Sequence, residues 1–183
     1  MIDIARLSRQ YDVRRLGDAD ADVILELYEE NTQYFPYADA EATREQVLSD
    51  LSVTPPGIGP ADKYFIGFYL KDALIAVMDL VDGYPKPGTA FIGLFMMRKA
   101  LQGRNIGSAV ILEAEEYLAS LGMSAVRLAI DRGNPQSAHF WKKNGFTVIR
   151  EVERNGKTVL LAERALKGLS RAYMPESYKE RRL

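Results

Sequence analysis

Residues 90–97, Ala-Phe-Ile-Gly-Leu-Phe-Met-Met, contain no charged and no hydrogen-bonding side chain. A short run that is apolar on both faces reads as a strand covered on both sides, so the chain must lay helices above and below a sheet. Gly93 inside the run weakens the strand and marks a bulge or a close approach by another chain or a ligand. The run leads into a short loop, Gln102-Gly103-Arg104-Asn105-Ile106-Gly107, and then into the clearest helix of the chain, residues 105–121. Its apolar stripe is Ile106, Val110, Ala114, Tyr117, Leu118 and Leu121, with Gly122 placed to end it.

The flanking segments extend this pattern. Residues 11–16 read as a first strand. Asp18 or Asp20 can cap a helix carrying Val23, Ile24, Leu27 and Tyr28. An aromatic loop, residues 34–37, and a second helix over 39–51 follow, closed by the Pro- and Gly-rich loop 54–60. Residues 63–70 and 74–81 form a hairpin about Lys71-Asp72, and 82–88 is a turn. Beyond the long helix, 125–130 is a strand, and Asn134 caps a helix with Pro135 in its first turn that Gly145 stops. Strands 146–154 and 157–164 flank Asn155-Gly156, a strong hairpin-turn signal. The order β-α-α-β-β-β-α-β-α-β-β alternates only in the middle. It predicts a mixed α+β domain, with a mixed sheet and helices on its faces, over residues 1–166. The charged tail, 167–183, is either a helix packed on the surface or on a second subunit, or a mobile end.

Composition narrows the chemistry. The chain has 183 residues, no cysteine, one histidine and a formal net charge of −1. Disulfides, thiolate catalysis and Cys-ligated metals are excluded, and His139 alone offers no HExxH-like metal spacing, so no metal is expected. The charge balance offers no nucleic-acid footprint and no attraction to anionic lipid. Nothing in the sequence is long and apolar enough to cross a bilayer, and residues 1–10 lack a leader pattern, so a cytoplasmic protein is the expectation.

The loop 102–107 carries the most specific chemistry. The first N–H groups of a helix have no internal partner and sit at the positive end of its dipole. Small residues let an anion approach them, which makes a phosphate site built mainly of backbone. The Rossmann pattern needs GxGxxG, and the P-loop needs Lys-Ser or Lys-Thr after its second glycine. Here the loop is Gly-x-x-x-Gly followed by Ser108-Ala109, and neither pattern fits. The same glycines also suit a tight strand-to-helix turn, so the loop alone leaves both readings open. A second constellation, residues 134–146 (Asn-Pro-Gln-Ser-Ala-His-Phe-Trp-Lys-Lys-Asn-Gly-Phe), puts Asn134, Ala138 and Trp141 on one helical face. His139 falls beside that face and reads as a surface or packing residue.

Together these segments resemble the GCN5-related N-acetyltransferase family. Its first motif, Gln/Arg-x-x-Gly-x-Gly/Ala, is met by Gln102, Asn105 and Gly107; its second by Asn134, Ser137-Ala138, Trp141 and Gly145-Phe146. The resemblance implies the acyl-CoA N-acyltransferase fold, a mostly antiparallel mixed sheet with helices on both faces. It also implies acetyl-CoA as co-substrate and a small-molecule or peptide amine as acceptor, and dimers are common in the family. The diphosphate would take backbone N–H groups of Gln102, Gly103, Arg104, Asn105, Ile106, Gly107 and Ser108. The pantetheine arm would pair with the backbone of Phe95, Met96 and Met97, facing Asn134, Ala138 and Trp141, with Lys143 near a phosphate.

Two departures stand out. Asn105 replaces the first loop glycine, and asparagine tolerates a left-handed backbone better than other side-chain-bearing residues. Trp141 replaces the tyrosine that often protonates the departing thiolate, and an indole N–H donates hydrogen bonds without acting as an acid near neutral pH. For the base that frees the amine, Asp79 is the first candidate, a carboxylate in an otherwise apolar strand; the resemblance adds Glu30 and Tyr34, because the segment after the first helix usually walls the acceptor pocket in that family. A second reading is a CoA-binding module that has lost catalysis and serves regulation.

Overall fold

The computed structural model of the protein describes residues 1–38, 40–154 and 156–166. Asp39 and Asn155 lie outside the described residues, as does the expected tail 167–183. The strands are β1 (Asp12–Arg15), β2 (Lys63–Leu70), β3 (Ala73–Asp82), β4 (Thr89–Met97), β5 (Ala125–Asp131), β6 (Thr147–Arg154) and β7 (Lys157–Ala165). The helices are α1 (Ala21–Glu29), α2 (Phe35–Ala38), α3 (Arg44–Ser52), α4 (Ile106–Ser120) and α5 (Pro135–Lys143). All described strands join one sheet in the order β1-β2-β3-β4-β5-β7-β6. Only β4 and β5 are parallel; the other neighbours are antiparallel. The parallel pair needs a long crossover, and α4 supplies it.

Strand alternation explains the doubly apolar runs. Ile66, Met78 and Leu128 point to one face, where they pack with Val110, Ile111 and Leu118 of α4 and with Trp141 of α5. Phe65, Val77 and Met96 point to the other, against Ile24, Leu27 and Tyr28 of α1 and Val47 of α3. The chain start is strapped over α4. The Ser8 hydroxyl (2.6 Å), the Arg9 N–H (2.9 Å) and the Gln10 amide (3.0 Å) all donate to the buried carboxylate of Glu113.

Three expectations shift locally. The aromatic segment expected as loop forms the single turn of α2, because Phe35 turns inward against Tyr28, ring centroids 5.4 Å apart. The helix expected from residue 39 begins at Arg44, because the Thr43 hydroxyl caps it by accepting from the Gln46 N–H at 3.1 Å. The long helix begins at Ile106, because Asn105 is left-handed (φ 62°) and caps it from outside.

Two features of β4 open the sheet. Its register with β3 slips between Asp79↔Leu94 and Leu80↔Ile92, leaving Gly93 as the extra residue of a bulge. Its pairing with β5 covers only Thr89–Ile92 against Ala125–Leu128. Beyond that, β4 runs on to Met97 without a neighbour on this side, while β5 stays paired with β7 to Asp131. The two strands part here, and a cleft lies at the split.

Candidate active site

The cleft encloses about 390 Å³. Its walls are the unpaired end of β4, the loop and first turn of α4, the face of α5 and the segment after α1. Of the residues expected at a cofactor, Phe95, Met96, Met97, Gln102, Gly103, Asn105, Gly107, Ser108, Asn134, Trp141 and Lys143 border it. Arg104, Ile106 and Ala138 do not. Ile106 and Ala138 pack against the core, and Arg104 is exposed to solvent. On α5 the expected face holds at Asn134 and Trp141 but not at Ala138: His139, expected off the ligand face, borders the cleft instead, and so do Gln136, Ser137 and Phe140. A helix turns about 100° per residue, so a one-residue error exchanges neighbouring faces.

The loop builds a cradle of amide hydrogens. Gly103 (φ 73°) and Asn105 (φ 62°) are both left-handed, separated by one residue, which turns successive N–H groups toward a common side. The Gln102 N–H donates to the Lys99 carbonyl at 3.2 Å, so Gln102 drops out of the expected set. The N–H groups of Gly103, Arg104, Ile106, Gly107 and Ser108 make no hydrogen bond to another described residue, and the first helical bond is Ala109 N–H to Asn105 carbonyl at 3.0 Å. Space around Gly103 is open: no heavy atom lies within 4 Å of where a Cβ would sit. Gly107 serves differently. A Cβ there would come within 2.8 Å of the Met97 sulfur and 3.3 Å of Phe95 and Phe140, so this glycine lets α4 press onto β4 and α5. Lys143 reaches across the cleft and donates to the Asn105 side-chain oxygen at 2.6 Å.

The floor is aromatic. Phe95 stacks on Phe140 (5.8 Å), and Trp141 lies edge-on to Phe140 and Phe146, both at 5.0 Å. Trp141 is 7% exposed and central to this packing. Asn134 uses its side-chain oxygen to cap α5 at the Ser137 N–H, 3.0 Å, and its amide nitrogen bonds no other described residue. The Arg98 N–H bonds the Ile75 carbonyl of β3 at 2.9 Å. Antiparallel strands alternate, so Met96 also turns its backbone groups to β3, while Phe95 and Met97 turn theirs into the split. The Met97 carbonyl is already occupied, accepting from the side-chain amides of Asn31 and Gln102, each at 3.1 Å.

The expected catalytic side chains separate. Tyr34 borders the cleft, and burial raises its hydroxyl above its ordinary pKa, with Asp131 and Asp50 adding to the effect. Glu30 does not border it: its carboxylate pairs with Arg98 at 2.6 Å and accepts the Lys99 N–H at 3.0 Å, fixing the end of β4 to α1. Asp79 lies on the α1/α3 face of the sheet, paired with the buried Lys63 amine at 2.7 Å. Burial pushes its carboxyl up and Lys63 pulls it down, leaving it above the ordinary carboxylate value. Its carboxylate lies directly under the exposed Gly93, where a Cβ would come within 2.5 Å of it. Asp50, bonded by Tyr28 at 2.7 Å and Gln46 at 2.8 Å, lies on the same face and is likewise raised by burial.

Sequence reasoning missed Asn31, Gln33 and Leu101 as cleft residues. Asn31 carries one faint signal, a polar residue directly after an apolar helical stripe. Among the described residues no three His, Asp or Glu side chains gather as metal ligands, and no helix is long and apolar enough to cross a membrane.

Comparison with known proteins agrees with this geometry. An acetyltransferase from Thermus thermophilus superposes with a TM-score of 0.67 at 24% identity, over 85% of this chain and 97% of that one. The PaiA N-acetyltransferase of Thermoplasma acidophilum, solved in complex with coenzyme A, gives 0.60 at 20% identity, over 85% and 98%. The ribosomal-protein-S18-alanine N-acetyltransferase of Escherichia coli gives 0.62 at 9% identity, over 90% and 99%. No curated protein matches the sequence significantly. The sequence profile of the acetyltransferase (GNAT) family matches residues 24–146. Its match spans both cleft motifs and the crossover between them, and the chain belongs to that family.

Proposed function

We propose that this protein transfers the acetyl group of acetyl-CoA to a primary amine by direct attack. The observation that carries the reading is the set of N–H groups of Gly103, Arg104, Ile106, Gly107 and Ser108, which bond no other described residue and lie at the positive end of the 15-residue α4, beside the cleft. A diphosphate fits that cradle: its donors are backbone, its centre is open at Gly103, and Lys143 stands opposite. Further along the cleft, the backbone of Phe95, the Met97 N–H and the Asn134 amide nitrogen are available to the pantetheine amides. Acetyl-CoA supplies an acetyl thioester, whose thiolate leaves readily because a thiol has a pKa near ~8.5.

This chain's own residues then divide the work. The Phe95 N–H faces the split and is placed to hold the developing oxyanion; the Met96 N–H, turned to β3, is not. The acceptor must arrive as a neutral amine, so its proton has to leave. Asp79 is the carboxylate for that step, directly or through water. Asp79 does not itself border the cleft; Gly93, having no side chain, leaves room above its carboxylate where β4 departs from β5, and burial suits it to accept a proton nearer neutral pH than an exposed aspartate. Tyr34 walls the acceptor side. The Trp141 indole can donate a hydrogen bond to a departing sulfur but surrenders no proton, so the thiolate takes its proton from water.

Calorimetric titration with acetyl-CoA, followed by thiol release across a panel of amines, tests the proposal. Binding with turnover on at least one amine supports it. Binding without turnover on any amine points instead to a module that holds CoA for regulation. Absence of binding removes both readings.

A further inference from the structure

Asn31 directly follows the last turn of α1 and is 4% exposed. Its side-chain nitrogen donates to the Leu27 carbonyl at 2.8 Å and the Met97 carbonyl at 3.1 Å. Its side-chain oxygen accepts from the Gln102 amide at 2.7 Å. The same Gln102 nitrogen also donates to the Met97 carbonyl at 3.1 Å. Backbone carbonyls only accept, so both amides are held in a single orientation. The Gln102 oxygen in turn accepts from the Gln136 amide at 3.1 Å, and Gln136 accepts from Gln33 at 3.1 Å. One line of hydrogen bonds thus runs from the end of α1, over the last carbonyl of β4, into the cradle loop and across the cleft to α5.

This wiring changes the part Gln102 plays. Both hydrogens of its amide are spent on Asn31 and Met97, so its side chain offers nothing to a phosphate. Its effect is on the shape of the loop that follows. Asn31 also shapes the acceptor side through its backbone: its N–H donates to the Tyr28 carbonyl at 2.8 Å, and its carbonyl accepts the Tyr34 N–H at 2.9 Å.

We propose that Asn31 is a positioning residue for the transfer reaction. It pins Gln102, and through it the amide cradle at residues 103–108, to the end of β4. It also keeps the Met97 carbonyl out of reach of any ligand in the split, and sets the turn that presents Tyr34. The proposal rests on the assignment of the cradle to coenzyme A.

Calorimetry with coenzyme A on the full chain tests it, using Asn31→Ala, Gln102→Ala, the double variant and Asn31→Asp, each normalised to the unmodified protein at the same pH. Asn31→Ala and Gln102→Ala should each weaken binding about tenfold, about what one lost buried hydrogen bond costs. The double variant should be no weaker than Gln102→Ala alone, because Asn31 acts through Gln102. Asn31→Asp should bind weakly at pH 8, where a carboxylate faces two carbonyl oxygens. It should recover toward the unmodified protein at pH 5, where the buried carboxyl regains a proton to donate. A structural role alone would lower the melting temperature without this recovery. If Asn31→Ala does not fold, the pH comparison on Asn31→Asp still decides. Losses that add in the double variant, or Asn31→Asp equally weak at both pH values, overturn the proposal while leaving the coenzyme A assignment standing. Failure of the unmodified protein to bind coenzyme A removes the assignment and the proposal together.

Discussion

The carboxylate of Glu115, in α4, lies 3.1 Å from the guanidinium of Arg164 in β7, yet neither of its oxygens accepts a well-aligned hydrogen bond. Glu115 is 1% exposed. Arg164 donates from Nη1 to the Asn144 carbonyl at the end of α5, and the guanidinium fills the space where a side chain on Gly145 would stand. One arginine therefore ties together the two helices that wall the cleft.

Burial pushes the Glu115 carboxyl from 4.5 up to about 8, with Arg164 pulling it down and Glu116 pushing it up. Across that window the folded chain holds a proton that the unfolded chain has lost, so its contribution to stability falls as pH rises. Thermal melts should show stability declining from pH 5 to pH 8, with Glu115→Gln flattening the decline. Glu113 should act in the opposite sense. Burial raises its carboxyl, but bonds from Ser8, Gln10 and Arg9 outweigh that and hold it below its ordinary value. Its contribution should be lost as pH falls below that range. A Glu115→Gln melt curve with the same slope as the unmodified protein would contradict the assignment.

The two loop glycines should fail in different ways. Gly103→Val forces a β-branched residue into a left-handed conformation in open space, at a cost of about 1–2 kcal/mol concentrated in the loop. Coenzyme A affinity should drop at least about tenfold with little change in melting temperature. Gly107→Ala meets Met97 at 2.8 Å and should lower the melting temperature first. Calorimetry and melts on both variants check the contrast.

Asp79 can be tested through its partner. Asp79→Asn should cut turnover about a hundredfold, the low end of general-base contributions. Lys63→Met removes the amine 2.7 Å away that lowers the Asp79 pKa, so the acid limb of the pH–rate profile should move to higher pH. A limb that stays in place in Lys63→Met would show that another group takes the proton.

At Trp141, packing and chemistry can be separated. Trp141→Ala removes the ring that Phe140 and Phe146 pack against and should cost about 3–5 kcal/mol of stability. Trp141→Tyr keeps most of the ring and adds an acid, so coenzyme A binding should persist with turnover equal or higher. Collapse of binding in Trp141→Tyr would confine Trp141 to packing.

The readable parts of the sequence are those with local causes. The doubly apolar run of β4, the α4 stripe up to Leu118, the Asn134 cap and the left-handed tolerance of Asn105 each depend on neighbours a few residues away and stand as expected, whereas Leu121, expected on the stripe, is the C-cap of α4 and 42% exposed. Ala138 and His139 exchange roles because helical spacing defines a face only relative to the helix axis, and the axis is turned by packing. Glu30 reads as a catalytic candidate in the sequence because its ion pair with Arg98 joins residues far apart in the chain.

The sequence alone carried a mixed sheet, the strand-to-helix loop at the start of the long helix, and a family resemblance held by the two motifs, because propensity, periodicity and capping act over one or two turns. Only the tertiary structure decided which donors and acceptors remain open. Gln102 loses its amide to Asn31 and Met97, Met97 loses its carbonyl, and Gly93 uncovers Asp79 at the bulge, since each outcome depends on strands and helices meeting across many intervening residues.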